Sequence, residues 1–132
     1  MEINLDYKVN MSVNMMYRTT RFGRFLTTKA LQQRARIIQD IKKYNFNTED
    51  LEDKRLSVGL IFTEDWYYKN GEIKKTDLDN RLKFIIDSIF KTLNLNDKLI
   101  FEIYAKKQQS ELKESVQISI TKIQEEIWEK RL

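Results

Sequence analysis

The residues whose types and spacing could do chemistry lie in Thr76-Asp77-Leu78-Asp79-Asn80-Arg81-Leu82-Lys83 and its continuation to Asp87. Two aspartates one residue apart are followed by a lysine one helical turn on. From Leu82, apolar residues recur at Ile85, Ile86, Ile89, Phe90 and Leu93, the i, i+3, i+4, i+7, i+8, i+11 pattern of an amphipathic helix. This spacing predicts a helix from about Asp79 to Leu93, stopped by Asn94-Leu95-Asn96-Asp97. At about 100° per residue, Asp79, Lys83 and Asp87 fall on successive turns along the border of the apolar stripe. Carboxylates at a helix entrance with a lysine one turn in offer a place where a divalent cation and a phosphate could meet.

The rest of the composition narrows the chemistry. The chain has no Cys and no His, so thiolate nucleophiles, disulfides, Cys-ligated zinc, Ser-His-Asp triads and imidazole bases are all excluded. Asp, Glu, Lys, Ser, Thr and Tyr remain. With 132 residues, 41% apolar and 11% aromatic, the chain is long enough for one domain with a real core. No apolar run has the length of a membrane span. The N-terminus, with Glu2 and Asp6, has no signal-peptide pattern, and a reducing intracellular setting is expected. The net charge of +4 is unevenly spread: seven basic and no acidic residues lie between Tyr7 and Gln39, leaving −3 elsewhere. That asymmetry suits phosphate bound in one place and a cation in another.

Elements must position these residues. Ile3, Leu5, Tyr7 and Val9 alternate with polar neighbours and predict a half-buried strand. Asn10 to Leu26 has no clean period and reads as an ordered loop in which aromatics alternate with Arg18, Arg21 and Arg24. That mixture fits a nucleic-acid-facing segment or a plain basic surface loop about equally. Thr27 or Thr28 caps a second helix defined by Ala30, Leu31, Ala35, Ile38, Ile41 and Tyr44, with Lys29, Arg34 and Arg36 on its exposed face. Leu56 to Phe62 is expected as a central strand. Thr63 to Lys75 turns at Asn70-Gly71, closing a hairpin or forming a mobile flap. Ile100 to Lys106 and Ser115 to Thr121 read as strands, and Gln124 to Leu132 as a short helix with Ile127 and Trp128 as packing residues. With no repeats or low-complexity linkers, the fold class is α+β: one small domain, a mixed sheet of about four strands and two main helices.

Asp77 and Asp79 would point to one side of an extended segment, whereas Asp97 lies beyond a helix about 20 Å long at 1.5 Å per residue. Asp97 joins the pair only if the chain folds back around that helix. Ordinary roles exist for each: an N-cap for Asp79 and a turn residue for Asp97. Capping accounts for one aspartate but not for Asp77 and Lys83 as well. A rival nuclease pattern, Asp65 with Glu72-Ile73-Lys74, arises easily by chance in a chain that is 33% charged.

At this point the residues resemble a known family. Asp77-Leu78-Asp79-Asn80-x-x-Lys83 with Asp87, followed by Asn96-Asp97-x-x-Ile100 and a strand with Lys106 near its end, is similar to the RusA family of Holliday junction resolvases. Upstream, Asn14-x-x-Tyr17-Arg18, Gly23-Arg24 and Thr27 look like that family's basic segment. The resemblance covers about residues 5 to 121 of a single RusA-like domain spanning 1–132. It implies a homodimeric, Mg²⁺-dependent endonuclease, with Mn²⁺ as a substitute, that cuts four-way DNA junctions with paired symmetric nicks during recombination and repair. Its setting would be the cytoplasm of a bacterial or phage-infected cell. By the same resemblance Asp77, Asp79 and Asp97 are the catalytic metal ligands, Lys83 is the catalytic lysine, and Asn80 and Asp87 support the site. Arg18, Arg21, Arg24, Lys29, Lys74 and Lys75 would contact DNA, within a basic segment that continues to Arg36 and tracks the backbone. A non-catalytic junction-binding relative is the alternative.

The chain departs from the family pattern in three places. Asn96 stands where the family has an acid, the family's N-terminal prolines are missing, and Lys74-Lys75-Thr76 replaces aromatics. If aromatics open the junction, Trp66 to Tyr68 or Phe84 would have to supply them.

Overall fold

A computed structural model of the chain describes residues 1–124, the side chains of Val13 and Asn14 excepted. In chain order the elements are β1 (Glu2–Leu5), α1 (Val13–Met16), β2 (Tyr17–Thr20), β3 (Gly23–Leu26), α2 (Thr28–Lys42), β4 (Leu56–Glu64), α3 (Leu78–Leu93), a 3₁₀ turn (Asp97–Leu99), β5 (Ile100–Gln109) and β6 (Ser115–Lys122). The helix expected over Gln124 to Leu132 falls outside the described residues.

β4 is the centre of a mixed four-stranded sheet ordered β1-β6-β4-β5. It runs antiparallel to β6 and parallel to β5, so α3 is the crossover of a β4-α3-β5 unit. On one face Leu56, Val58, Leu60 and Phe62 of β4 join Val116, Ile118 and Ile120 of β6. Against them pack Phe84, Ile85 and Ile89 of α3 with Ile37 and Ile41 of α2, all buried. Each such side chain contributes roughly 1.5–3 kcal/mol when fully removed from water. The sheet's other face carries a shallow groove lined by Glu2, Gly59, Ile61, Lys106, Gln117 and Ser119. The α+β class and the two main helices are as expected from the sequence.

Three local expectations are corrected. The first strand ends at Leu5 rather than Val9: Leu5 pairs with Val116, the second residue of β6, so the ladder runs out there. Asn10 to Leu26 is no irregular loop but a short helix and a two-stranded hairpin, β2 on β3. Its tight turn rests on Gly23 at φ +130° and on Thr20 Oγ1, which accepts the Phe22 N–H at 3.1 Å. The buried stripe of α2 is Ala30, Ile37 and Ile41, whereas Leu31 is exposed and Ile38 only half-buried. Half-buried Arg34 takes an interhelical position facing α3. Its guanidinium lies 5.3 Å from the Phe84 ring centre and donates through Nε to Ser88 Oγ at 3.1 Å.

Both main helices begin and end where their chemistry dictates. Thr27 caps α2, its hydroxyl accepting from the Ala30 N–H at 3.2 Å. Asn94 ends α3 in the left-handed conformation at φ 56°, and the Leu95 N–H returns to the Phe90 carbonyl at 2.9 Å while Leu95 is buried. Between β4 and α3 the Asn70-Gly71 turn closes a small hairpin, with Tyr68 N–H bonded to Glu72 O and Tyr67 bridged to Ile73. The mobile-flap alternative is thereby replaced.

Candidate active site and nucleic-acid interface

The crossover topology brings the start of α3 to the C-terminal end of β4. A buried ion pair fixes that junction: the Arg81 guanidinium on the first turns of α3 bonds the Glu64 carboxylate at the last residue of β4. Both side chains are almost fully buried. Lys8 adds a second cation to Glu64 at 3.3 Å. The Arg81 guanidinium also lies 5.0 Å from the Trp66 ring centre. The indole in turn donates to the carbonyls of Phe62 and Gln108. Arg81 therefore faces inward, and the residues two positions to either side, Asp79 and Lys83, face solvent.

Asp77 occupies the N-cap position of α3, yet its carboxylate makes no capping bond. Asp79 accepts the Asn80 N–H at 3.1 Å and is otherwise exposed. Lys83 reaches the half-buried Asp87 at 3.6 Å along the helix. The predicted row of Asp79, Lys83 and Asp87 on one flank is thus present, with half-buried Asn80 beside it. Asp97 stands elsewhere, in the 3₁₀ turn after α3. Since α3 has 16 residues, it separates the two ends by about 24 Å at 1.5 Å per residue. The chain does not fold back around the helix. Asp87 and Asp97 instead border one shallow depression at the C-terminal end of α3. Among the described residues no three acidic side chains converge within one chain. Asn96 uses its side chain to accept the Lys98 N–H at 2.9 Å and caps that turn.

The rival acidic pattern is accounted for structurally. Asp65 accepts from the Gln109 amide and the Tyr67 N–H, and these bonds, the amide first, hold its carboxyl below the usual range.

Of the basic residues, Arg18, Arg21 and Arg24 are exposed on the β2–β3 hairpin, and Lys29 is exposed on the first turn of α2. Arg24 stacks on Tyr17 at 4.0 Å and Arg21 on Phe22 at 4.8 Å. Lys75 is exposed and Lys74 half-buried, 6.0 Å from the Tyr68 ring centre. Arg34 is half-buried against Phe84, whereas Arg36 is exposed as expected, its guanidinium 3.7 Å from the Tyr7 ring centre. Two aromatics considered for opening a junction, Trp66 and Phe84, are buried in the core, whereas Tyr67 and Tyr68 remain exposed. The residue that sequence reasoning missed is Phe22. It is 77% exposed at the hairpin tip, and its signal was the Arg21-Phe22-Gly23 turn.

A small α+β protein with exposed carboxylates and a lysine at the start of its crossover helix, and a separate basic hairpin, defines the class. A family model described as Endodeoxyribonuclease RusA matches residues 6–121. The chain belongs to the RusA family, whose members are endodeoxyribonucleases. No curated protein matches it. No helix among the described residues is long and apolar enough to cross a membrane.

Proposed function

We propose that the protein is a structure-selective endodeoxyribonuclease that resolves four-way DNA junctions by paired, metal-dependent nicks, working as a homodimer. One observation carries this reading: Asp77, Asp79 and Lys83 are presented together to solvent on the opening turns of α3, in a chain matched by the family over residues 6–121. Asp77 makes no capping bond, and Asp79 accepts the Asn80 N–H, so capping leaves Asp77 unexplained.

Carboxylate oxygens are the right donors for Mg²⁺ or Mn²⁺, and Asp77 and Asp79 would hold the ion together with Asp97. Bound there, such an ion supplies positive charge beside the scissile phosphate and a more acidic water. Within one chain, however, only two of the three ligands share a location, so the set is incomplete in a single subunit.

Roles for the chain's own residues follow from their placement. Lys83 puts a mobile ammonium beside the phosphate, and Asp87 restrains it one turn further along. Arg18, Arg21, Arg24 and Lys29, with Lys75 and the half-buried Lys74, bind backbone phosphates, which favours DNA shape over sequence. Phe22, with Arg21 stacked against it, is better placed than Trp66 or Phe84 to insert at a branch point.

The test is cleavage of a synthetic mobile four-way junction, with linear duplex as control, in Mg²⁺ and in EDTA, for wild type and Asp77→Asn. Paired nicks confined to the junction, absent in EDTA and in the variant, are expected. Tight junction binding without nicking in Mg²⁺ or Mn²⁺ would instead support a non-catalytic DNA-binding relative. The occupation of Asn96 as a turn cap, where the family has an acid, favours that second reading.

A further inference from the structure

We propose that Lys8 and Lys107 form a backbone-phosphate site beside Asp79 and Lys83, built on the buried Glu64, Arg81 and Trp66 side chains that link them. The placement of the two lysines stands on the fold alone; that the phosphate belongs to DNA rests on the function proposed above.

β5 carries two consecutive lysines, and the sheet separates them. Lys106 pairs with Ile61 and lines the groove on the sheet's outer face. Lys107 pairs with Phe62, which is buried on the helical side, so alternation along the strand sends Lys107 to that side as well. There its ammonium lies 4.7 Å from the Trp66 ring centre while the residue remains exposed. The indole is a fixed platform: it is buried, and its N–H is shared between the carbonyls of Phe62 on β4 and Gln108 on β5. Trp66 also carries the Arg81 guanidinium at 5.0 Å, so two cations share one ring.

At the other end of this chain of contacts, Glu64 takes Lys8 at 3.3 Å as its second cation. Lys8, Arg81 and Lys107 therefore gather around one carboxylate, to which Arg81 already donates twice. Asp65, next in sequence, accepts from the Gln109 amide and the Tyr67 N–H, and even counted in full it leaves the group positive. Like charges held together repel, and a bound anion relieves that repulsion.

The nature of the anion follows from where the lysines stand. Arg81 lies two residues from both Asp79 and Lys83, so the turn of α3 that buries Arg81 carries those two on its solvent side. A DNA strand whose scissile phosphate meets Asp79 and Lys83 brings its neighbouring phosphates to the edge of that turn, within reach of the exposed Lys107 and the half-buried Lys8. Lysine suits the task, since an ammonium on a flexible stem binds phosphate as a point charge and reads no base. The β2–β3 hairpin supplies affinity for DNA in general, whereas Lys8 and Lys107 set which phosphate enters the site.

Binding of a synthetic four-way junction by the full chain in EDTA tests the site apart from cleavage. Lys107→Gln and Lys8→Gln should each reduce the slope of log K against log [KCl] by about 0.9, while Lys106→Gln, on the outer face, leaves the wild-type slope. Lys107→Arg, which keeps the charge, should restore it, and urea melts of the same variants check that each is folded. Location is read with junctions in which single phosphates near the branch are replaced by uncharged methylphosphonates. A replacement that weakens wild type at the Lys107 contact should cost Lys107→Gln nothing further. A wild-type slope in either glutamine variant, a Lys106→Gln loss as large as that of Lys107→Gln, or methylphosphonate effects undiminished in Lys107→Gln at every position overturns the proposal. The expected pattern in a wild type that never nicks in Mg²⁺ or Mn²⁺ leaves the phosphate site standing and removes the nuclease reading. A wild type that binds no DNA removes both.

Discussion

Asp77 and Asp79 show how carboxylates can sit at a helix start without being used by it. Because neither makes a conventional cap, replacing one should cost little stability and much chemistry. Asp79→Asn is expected to abolish junction cleavage, retain junction binding, and change unfolding free energy by about 1 kcal/mol or less, since an Asn side-chain oxygen can accept the same Asn80 N–H; gel assays and urea melts measure the three separately. Arg81, buried two residues away, should behave in the opposite manner. Arg81→Leu leaves Glu64 buried with Lys8 as its remaining cation, and a loss of about 3–5 kcal/mol in urea unfolding is expected. Asn94 offers a backbone counterpart, since its left-handed φ of 56° costs an alanine roughly 1–2 kcal/mol. Asn94→Ala should therefore lower stability by about that amount without altering DNA binding.

Among the elements, α3 was legible from sequence because its apolar period, its entry and its Asn94 stop all agree. α2 was legible in extent but not in rotation. A pattern of apolar residues places Leu31 and Ile38 inside, and only the three-dimensional fit shows that Arg34 lays its stem and guanidinium against Phe84 and Ser88 instead. The β2–β3 hairpin escaped because its strands are four residues each and mostly exposed, which erases the inside–outside alternation by which strands are read. Asp97 was singled out by its place in the turn after α3, but the distance that separates it from Asp77 is a property of the crossover topology and not of spacing along the chain. Packing of α2 beside β1 also sets a titration. The Tyr7 hydroxyl facing Asp40, with Lys43 and Arg36 adding to it, holds that carboxyl below its usual 3.8, so its contribution to stability is complete above that value and is lost as pH falls through the lowered pKa. Tyr7→Phe should move the Asp40 pKa up towards 3.8, as followed by carboxyl-carbon NMR across the acid range.

For the whole molecule, the charge asymmetry read from the sequence resolves into a basic hairpin on one side and a carboxylate cluster at the crossover mouth. Removing Arg18, Arg21 and Arg24 together should weaken binding to all DNA sequences similarly. It should also reduce the slope of log K against log salt by about 2 to 3, or 0.9 per phosphate contact, as measured by titration over a range of KCl. Strand order carries a further consequence, for the timing of folding. β1 finds its partner only in β6, with Glu2 opposite Ser119, and β4 is flanked by the two strands that follow it in the chain. During synthesis the first strand must wait for nearly the whole chain, and β4 emerges with both edges bare. A nascent polypeptide halted before β6 therefore holds only the parallel β4–β5 pair of the four-stranded sheet, with β1 unpaired and one edge of β4 bare, and its non-local pairings place refolding among the slower of the mixed α/β topologies. Addition of β6, which joins β1 to β4, is the step that completes the sheet.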